Sequence, residues 1–239
     1  MEEGLRLLQA AIGQLNAGAL TEAAATCERL QAVMPGHPAV LQLQATLSLR
    51  SGDPAAAARF AADSLARRPG HGPTLLLTAQ AAIALQRAGQ RDLALAAWTC
   101  TAAAPDASAR AHAGLGLLLR EMGKLPVARD ALERAAELDP SLSQVWFALG
   151  LTRQDLGDEA GAAEAFRAAL QAQPDLAEAA VNLGLALQRQ GLMAPALDAY
   201  RVAVRLRPDT IGRVAQSLAA SSTGQLALDG ATLRTILGA

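Results

Sequence analysis

The sequence contains few of the residues that usually carry catalysis, bind metals or form a covalent framework. Its 239 residues include two cysteines, three histidines and a single lysine, Lys124, and aromatic residues make up only 3%. No G-x-S-x-G elbow, glycine-rich phosphate loop or metal-ligand motif occurs, and no serine or cysteine has a plausible histidine and carboxylate partner. We therefore expect a protein that is not an enzyme and that binds neither a cofactor nor a metal.

Excess charge and long apolar runs are also missing. The net charge is −1 and the isoelectric point is near 6.3, which gives no reason to expect nucleic-acid binding. No stretch approaches the roughly 18 apolar residues of a membrane span. The acidic start, Met1-Glu2-Glu3, differs from the basic start of a secretory signal. We expect a cytoplasmic protein, and the use of arginine in place of lysine suggests a bacterial source.

Hydrophobic residues, mostly alanine and leucine, make up 51% of the chain and recur in a pattern of 34 residues. The spacing of three and four between them predicts two helices with apolar faces, separated by a turn at Gly157. Small residues at positions 150 and 162 let these helices approach closely, and large ones at 146 and 166 fill the space around their crossing. The pattern is most complete between residues 143 and 176, where its defining residues are Trp146, Leu149, Gly150, Ala162, Phe166, Ala169 and Pro174.

The order of these residues resembles the signature of the tetratricopeptide repeat. The resemblance implies an all-α fold, an α-solenoid in which antiparallel helix pairs form a right-handed superhelix, and a scaffold for protein–protein interaction. Carried in both directions, the frame gives units 4–37, 38–71, 75–108, 109–142, 143–176 and 177–210. A capping helix at 211–221 would complete a solenoid over residues 1–221, and a loop with a short helix is expected at 222–239.

Glycine and proline punctuate each unit. We number the positions of each unit as offsets, with its first residue as offset 1. Glycine recurs at offset 15, where it can adopt the positive φ that ends the first helix, and proline near offset 32 stops the second. Asp53 precedes Pro54 and is expected to cap the second helix of its unit. The segment Gly72-Pro73-Thr74 fits neither neighbouring unit. It predicts a longer loop that either changes the stacking there or leaves it undisturbed.

Three groups of potentially reactive residues are interpreted as structural. Cys27 and Cys100 fall in second helices about two repeats apart, so we expect small buried side chains rather than a disulfide. His37 and His71 share an offset in adjacent units, but no further ligands at metal spacing accompany them. The densest basic cluster is interpreted as charges at helix ends rather than an anion site, and it comprises Arg201, Arg205, Arg207 and Arg213.

The resemblance also implies a ligand surface. In this family the first helices line the inner, concave face, and residues at offsets 2, 5, 6, 9, 12 and 13 usually meet the ligand; we call these the groove positions. In this sequence they form an apolar floor with an amide and guanidinium rim, which suits an amphipathic helix or an extended segment with apolar anchors. The predicted peptide-binding residues are Leu8, Ile12, Ile83, Gln86, Arg87, Ala113, Leu117, Arg120, Gln144, Phe147, Leu151, Gln154, Asp155, Val181, Asn182, Leu185, Gln188 and Arg189.

The same transfer places Gln42 and Thr46 in the floor, and Asn16 and Arg50 on the rim. An acidic C-terminal peptide fits this surface less well, because family members that clamp a terminal carboxylate use lysine and asparagine, and the single lysine of this chain lies in a turn. Part of the apolar floor has an alternative role: it either packs between adjacent first helices or is covered by the chain's own tail.

Three functions are compatible with this sequence. The first is an adaptor that binds a protein or peptide partner. The second is a targeting or substrate-recruiting region of a larger bacterial enzyme, such as a methyltransferase, sulfotransferase or glycosyltransferase. The third is a self-assembling structural protein, a homo-oligomer formed through the groove or the C-terminal tail. We also expect the apolar stripe from Leu226 to Leu237 to fold back as a helix onto the last units or their groove, or to swap into a neighbouring molecule.

Overall fold

A computed structural model describes residues 2–219, and within this range the chain is helical and contains no strand. The predicted all-α fold is confirmed. The thirteen α-helices of this range are α1 Glu2–Asn16, α2 Leu20–Val33, α3 Pro38–Arg50, α4 Pro54–Arg67, α5 Gly72–Arg87, α6 Arg91–Ala102, α7 Ala109–Glu121, α8 Leu125–Leu138, α9 Ser143–Asp155, α10 Glu159–Ala172, α11 Ala177–Arg189, α12 Met193–Leu206 and α13 Ile211–Ala219.

The chain divides into two compact units, Met1–Leu118 and Leu119–Ala239, which we call the N-terminal and C-terminal units. In the N-terminal unit, α1 packs on α2, α3 on α4 and α5 on α6, and α1, α3 and α5 also contact one another in order. In the C-terminal unit, α9 packs on α10 and α11 on α12, while α10 contacts α11. Each unit therefore contains helix pairs stacked on their neighbours, as the two apolar faces per pair require.

The turns between first and second helices confirm the role predicted for glycine. All six glycines at offset 15 have a positive φ, between 73° and 82°: Gly18, Gly52, Gly89, Gly123, Gly157 and Gly191. A side chain in this left-handed region is disfavoured, so glycine ends the first helix at low cost. The predicted cap is also present, because the Asp53 carboxylate accepts a 2.9 Å hydrogen bond from the Ala56 amide.

The prediction of a loop at residues 72–74 is wrong. These residues form the first turn of α5, which is 16 residues long. Pro73 lies in that turn, where the missing amide donor has no intrahelical partner to lose. Thr74 is fully buried, and its Oγ1 lies 2.8 Å from Nδ1 of His71, the residue before the helix. The three extra residues therefore lengthen a helix and are not inserted as a loop.

The crossing of α9 and α10 shows why the repeat requires a small residue. Phe166 is completely buried, and a Cβ built on Gly150 would lie 2.5 Å from Cε1 of its ring. Phe147 adds a second ring, with its centroid 5.8 Å from that of Phe166. Trp146 differs from expectation: it is only half-buried, and its indole Nε1 donates a 2.9 Å hydrogen bond to the Pro140 carbonyl. One aromatic residue of the signature fills the crossing, and the other binds the preceding turn.

The predicted capping helix is present from Ile211 to Ala219 as α13. Val214 and Leu218 are buried in a core cluster with Tyr200 and Val204 of α12, so they cover that side of the last helix pair. The remainder of the predicted cap, residues 220 and 221, and the predicted tail at 222–239 lie outside the described residues.

Candidate functional site

The N-terminal unit contains a cleft of about 250 Å³ between α1 and α3. Every residue that lines it occupies a groove position. The lining residues are Leu8, Ile12, Leu15, Asn16, Ala39, Gln42, Leu43, Thr46 and Arg50. The sequence predicts Leu8 and Ile12 as peptide-binding residues and assigns four of the others to the floor or the rim. It does not single out Leu15, Ala39 and Leu43, although their offsets belong to the same set.

The cleft has an apolar base and a polar end. Leu15 and Leu43 are buried at its base, while Ile12 remains 45% exposed on its wall. At the polar end, Nη1 of Arg50 donates a hydrogen bond to the carbonyl oxygen of Leu15. That carbonyl lies in the last turn of α1, where a positive charge is favoured by the helix dipole. The guanidinium is thereby held beside the apolar surface.

The other groove positions of the N-terminal unit differ in exposure. Ile83 is 41% exposed and Leu117 is 39% exposed, so these aliphatic side chains contact solvent as Ile12 does. Ala113 is buried and contributes to packing. Gln86 makes a structural hydrogen bond, in which its Oε1 accepts from Nε1 of Trp98 at 2.8 Å. Arg87 is exposed.

In the C-terminal unit the apolar groove positions are largely covered. Phe147 and Leu151 pack against the core cluster and are only partly buried, whereas Val181 is buried. Asn182 and Leu185 are half-buried and Gln144 is exposed. The apolar members of this set therefore take part in packing of the core, and less of their surface is exposed to solvent than at the corresponding positions of the N-terminal unit.

The polar groove positions of the C-terminal unit bind one another or nearby residues. Arg120 donates to Asp155 at 3.2 Å, and Arg189 pairs with Glu159 at 2.9 Å. Gln188 uses both ends of its amide: Oε1 accepts from the Tyr200 hydroxyl at 2.8 Å, and Nε2 donates to the Ser217 carbonyl at 2.7 Å. The two Gln188 hydrogen bonds join α11, α12 and the capping helix, and the two ion pairs give Arg120 and Arg189 carboxylate partners within the chain.

Gln154 occupies the same offset as Gln188 and Gln86 but lacks the corresponding partner. Each of the other two glutamines binds the polar tip of an aromatic residue twelve positions later, whereas Gln154 is followed at that distance by Phe166. Its Nε2 is buried and has no hydrogen-bond partner among the described residues. An unmade hydrogen bond of this kind costs about 1–3 kcal/mol.

Burial raises the pKa of Tyr200 to about 12, from an ordinary value of 10.0. Between these values the unfolded chain releases the phenolic proton and the folded chain retains it. Stability from this group is therefore complete below about pH 10 and is lost as the pH rises towards 12. Because Tyr200 is the only tyrosine, tyrosinate absorbance should report its titration alone. We expect Tyr200→Phe to flatten the alkaline decline in unfolding free energy, and an unchanged decline would contradict this assignment.

The remaining polar candidates have structural roles. Cys27 is buried and Cys100 is half-buried, both thiols are free, and burial raises the pKa of each. His37 caps α3, with its Nδ1 accepting from the Ala39 amide at 3.3 Å. Across residues 2–219 there is no cluster of three or more histidine, cysteine or acidic residues that could hold a metal ion. Within the same range no helix is long and apolar enough to cross a membrane.

The basic cluster near the end of α12 is partly neutralised. Arg201 pairs with Asp198 at 2.7 Å, and Arg207 donates to the Glu178 carboxylate. The pKa of Glu178 lies below its ordinary value, first because the carboxylate accepts a backbone amide hydrogen bond and then because of Arg207. This pairing favours the interpretation as structural charges.

Comparison with known proteins identifies the repeat. The family model described as Tetratricopeptide repeat matches residues 79–143 and 147–210, together more than half of the chain. Comparison with curated protein sequences finds no match. Many solved structures are similar to this chain. Those described below are 14–20% identical to it, so the similarity shows the fold alone.

Three of these structures illustrate the similarity. YrrB, described as a TPR protein with an unusual peptide-binding site, aligns with a TM-score of 0.63 at 17% identity over 82% of this chain and 98% of its own. MamA aligns with a TM-score of 0.59 at 20% identity over 73% and 94%. The C-terminal part of a TPR repeat-containing protein from Cytophaga hutchinsonii aligns at 0.58 and 14% identity over 88% and 83%.

Proteins of this fold are scaffolds for protein–protein interaction, in which repeated helix pairs present extended binding surfaces. The stacked helix pairs described above and the two matches to the family model both indicate this repeat. The chain belongs to the tetratricopeptide repeat family.

Proposed function

We propose that the chain is a non-enzymatic interaction scaffold that binds a peptide or helix at the groove positions of its first helices, mainly those of the N-terminal unit. The observation that carries this proposal is the cleft between α1 and α3, because all nine of its lining residues fall at the six offsets that meet ligands in the family. Its volume of about 250 Å³ is enough for one or two apolar side chains of a partner.

Exposed aliphatic residues support the same surface. Ile12, Ile83 and Leu117 all occupy offset 9 and are 39–45% exposed, which provides a series of apolar contacts for an amphipathic segment. The corresponding positions of the C-terminal unit, Leu151 and Leu185, are less exposed. We therefore assign the principal contacts to the N-terminal unit.

A displayed library of random peptides tests this function and requires no identified partner. Peptides enriched on the full chain should bind the Ile12→Asp variant at least about tenfold more weakly, because a carboxylate on the cleft wall must be desolvated beside apolar groups. Affinities can be measured by fluorescence anisotropy with the selected peptides. Circular dichroism would show that the variant remains helical.

Leu93→Asp is a matched control for this experiment. Leu93 lies on α6, outside the groove positions, and is 49% exposed, close to the 45% of Ile12. The substitution adds the same charge to the same unit, so binding should be unchanged. Equal binding to the wild-type chain and to both variants would argue against the groove positions as the binding site.

A further inference from the structure

The groove positions of the N-terminal unit carry charge of one sign only. From residue 2 to residue 118 these positions contain Arg50, Arg87 and Arg110, and they contain no aspartate or glutamate. The same offsets in the C-terminal unit include Glu121, Asp155 and Glu178. The two units therefore differ in charge on the surface that would meet a ligand, although the whole chain is almost neutral.

The arginines of the N-terminal groove positions are not neutralised within the described chain. No carboxylate of residues 2–219 lies within 4.0 Å of the guanidinium groups of Arg50, Arg87 or Arg110, and all three residues are exposed. In the C-terminal unit, by contrast, Arg120 and Arg189 pair with carboxylates at 3.2 and 2.9 Å. An arginine without a carboxylate partner keeps its capacity for a charge-assisted hydrogen bond to a ligand.

Arg50 is positioned to use that capacity at the cleft. One of its terminal nitrogens donates to the Leu15 carbonyl, so the guanidinium is held at the end of the cleft while its other donors remain available. A ligand whose apolar side chain enters the cleft beside Ile12 would bring its neighbouring residue close to this group. A carboxylate in that place would form a planar pair with arginine.

The composition of these positions distinguishes an acidic peptide from a nucleic acid. Binding of single-stranded nucleic acid usually requires aromatic side chains on which bases stack, and none of the groove positions between residues 2 and 118 is aromatic. The exposed aliphatic residues suit leucine-like anchors instead. A carboxylate on the side chain of an internal residue also does not require the lysine and asparagine clamp that this sequence lacks.

We infer that the partner segment is an acidic amphipathic peptide, whose apolar residues occupy the cleft between α1 and α3 and whose aspartate or glutamate side chains pair with Arg50 and Arg87. This inference rests on the proposed function, since it names the chemistry of the ligand for the same surface. The opposite charge supplies the specificity, and the apolar anchors supply most of the buried area.

The peptide library described above also tests this inference, with the full chain as target. Peptides that depend on Ile12 should be enriched in acidic over basic residues. A selected peptide should bind the Arg50→Gln/Arg87→Gln variant about tenfold more weakly, as expected for the loss of charge-assisted contacts. Added salt should weaken its binding to the wild-type chain more than to this variant.

The control variant is Arg68→Gln/Arg91→Gln. It removes the same charge from the same unit, but both arginines are exposed and lie outside the groove positions, so affinity for the selected peptide should not change. Arg87→Gln alone provides a second test if loss of the Arg50 contact to α1 impairs folding, because Arg87 is exposed at the end of α5 and its replacement should leave the fold intact. This single variant should show part of the weakening.

The possible outcomes distinguish a failure of the acidic-partner inference from a failure of the proposed groove function. Neutral or basic peptides that bind tightly and are lost with Ile12→Asp would overturn the acidic partner and leave the groove function standing. Equal weakening by the groove and control arginine variants would also overturn it, because a general field would then explain the affinity. Peptides that bind independently of Ile12 would overturn the proposed function itself, and this inference with it.

Discussion

Replacing Phe166 with alanine is expected to lower the free energy of unfolding by about 3–5 kcal/mol. The ring is completely buried, lies against Gly150 and packs beside Phe147. Because glycine faces it, no neighbouring side chain at that point can move in to fill the space, so a large part of the cavity should remain. Urea unfolding monitored by circular dichroism would measure the loss.

Phe166→Tyr is the matched control for this prediction. It retains the ring and adds a hydroxyl as a hydrogen-bond partner for Gln154, whose Nε2 has none. The Tyr200 hydroxyl has the corresponding role for Gln188. We expect it to cost little or to raise stability slightly. Phe60→Ala provides a second comparison, because Phe60 is only half-buried and its ring is covered by the Arg59 guanidinium 5.0 Å from its centroid. Equal losses for Phe60→Ala and Phe166→Ala would contradict the role assigned to the crossing.

Replacing Gly150 with leucine is the second substitution expected to have a large effect, with a loss of about 3 kcal/mol from overpacking. The added Cβ alone would lie 2.5 Å from the Phe166 ring, before the rest of the side chain is considered. Phe166 is enclosed on all sides and cannot turn away without displacing its own neighbours. We expect a lower urea midpoint of unfolding, because α9 can no longer pack closely on α10.

Gly13→Leu tests whether this effect comes from packing. Gly13 also lies within a helix, but a Cβ at that position meets no atom within 4 Å and the residue is exposed. Removing a helical glycine there should raise stability by about 0.5–1 kcal/mol.

A double variant that combines Gly150→Ala with Phe166→Leu should recover part of the loss caused by Gly150→Ala, since the two residues share one space. Simple additivity of the two substitutions would refute the shared-space explanation.

The helix pairs and their turns could be predicted from the sequence because they depend on local rules. Residues three or four apart share a helix face, and a glycine that must adopt positive φ leaves a clear signal, as at Gly157. The start of α5 could not be predicted in the same way. A Gly-Pro pair is compatible both with a loop and with the first turn of a helix, and the burial of Thr74 decides between them.

The candidate site was less predictable, because the offsets identify which residues face a ligand but not which of them remain free. Val181 and Ala113 are buried by neighbouring helices, and the extent of that burial depends on how closely the helix pairs stack. Gln188 is occupied by Tyr200 and by the backbone of α13, which no repeat signature encodes. Leu117 is exposed and therefore permits a charged substitution, whereas Leu151 packs against the core.

The glycine turns have a consequence for how this chain tolerates mutation. At each of the six positions every other residue would be strained, so a saturation-mutagenesis profile should show sharp minima there, in addition to those at Gly36 and Gly70, whose φ is also positive, and at buried positions such as Gly150. The minima at the six turn glycines should be separated by 34 residues, except for the interval from Gly52 to Gly89, which is 37 residues because α5 begins one turn earlier. Fitness measurements alone would then reveal both the repeat and the one place where a repeat was lengthened.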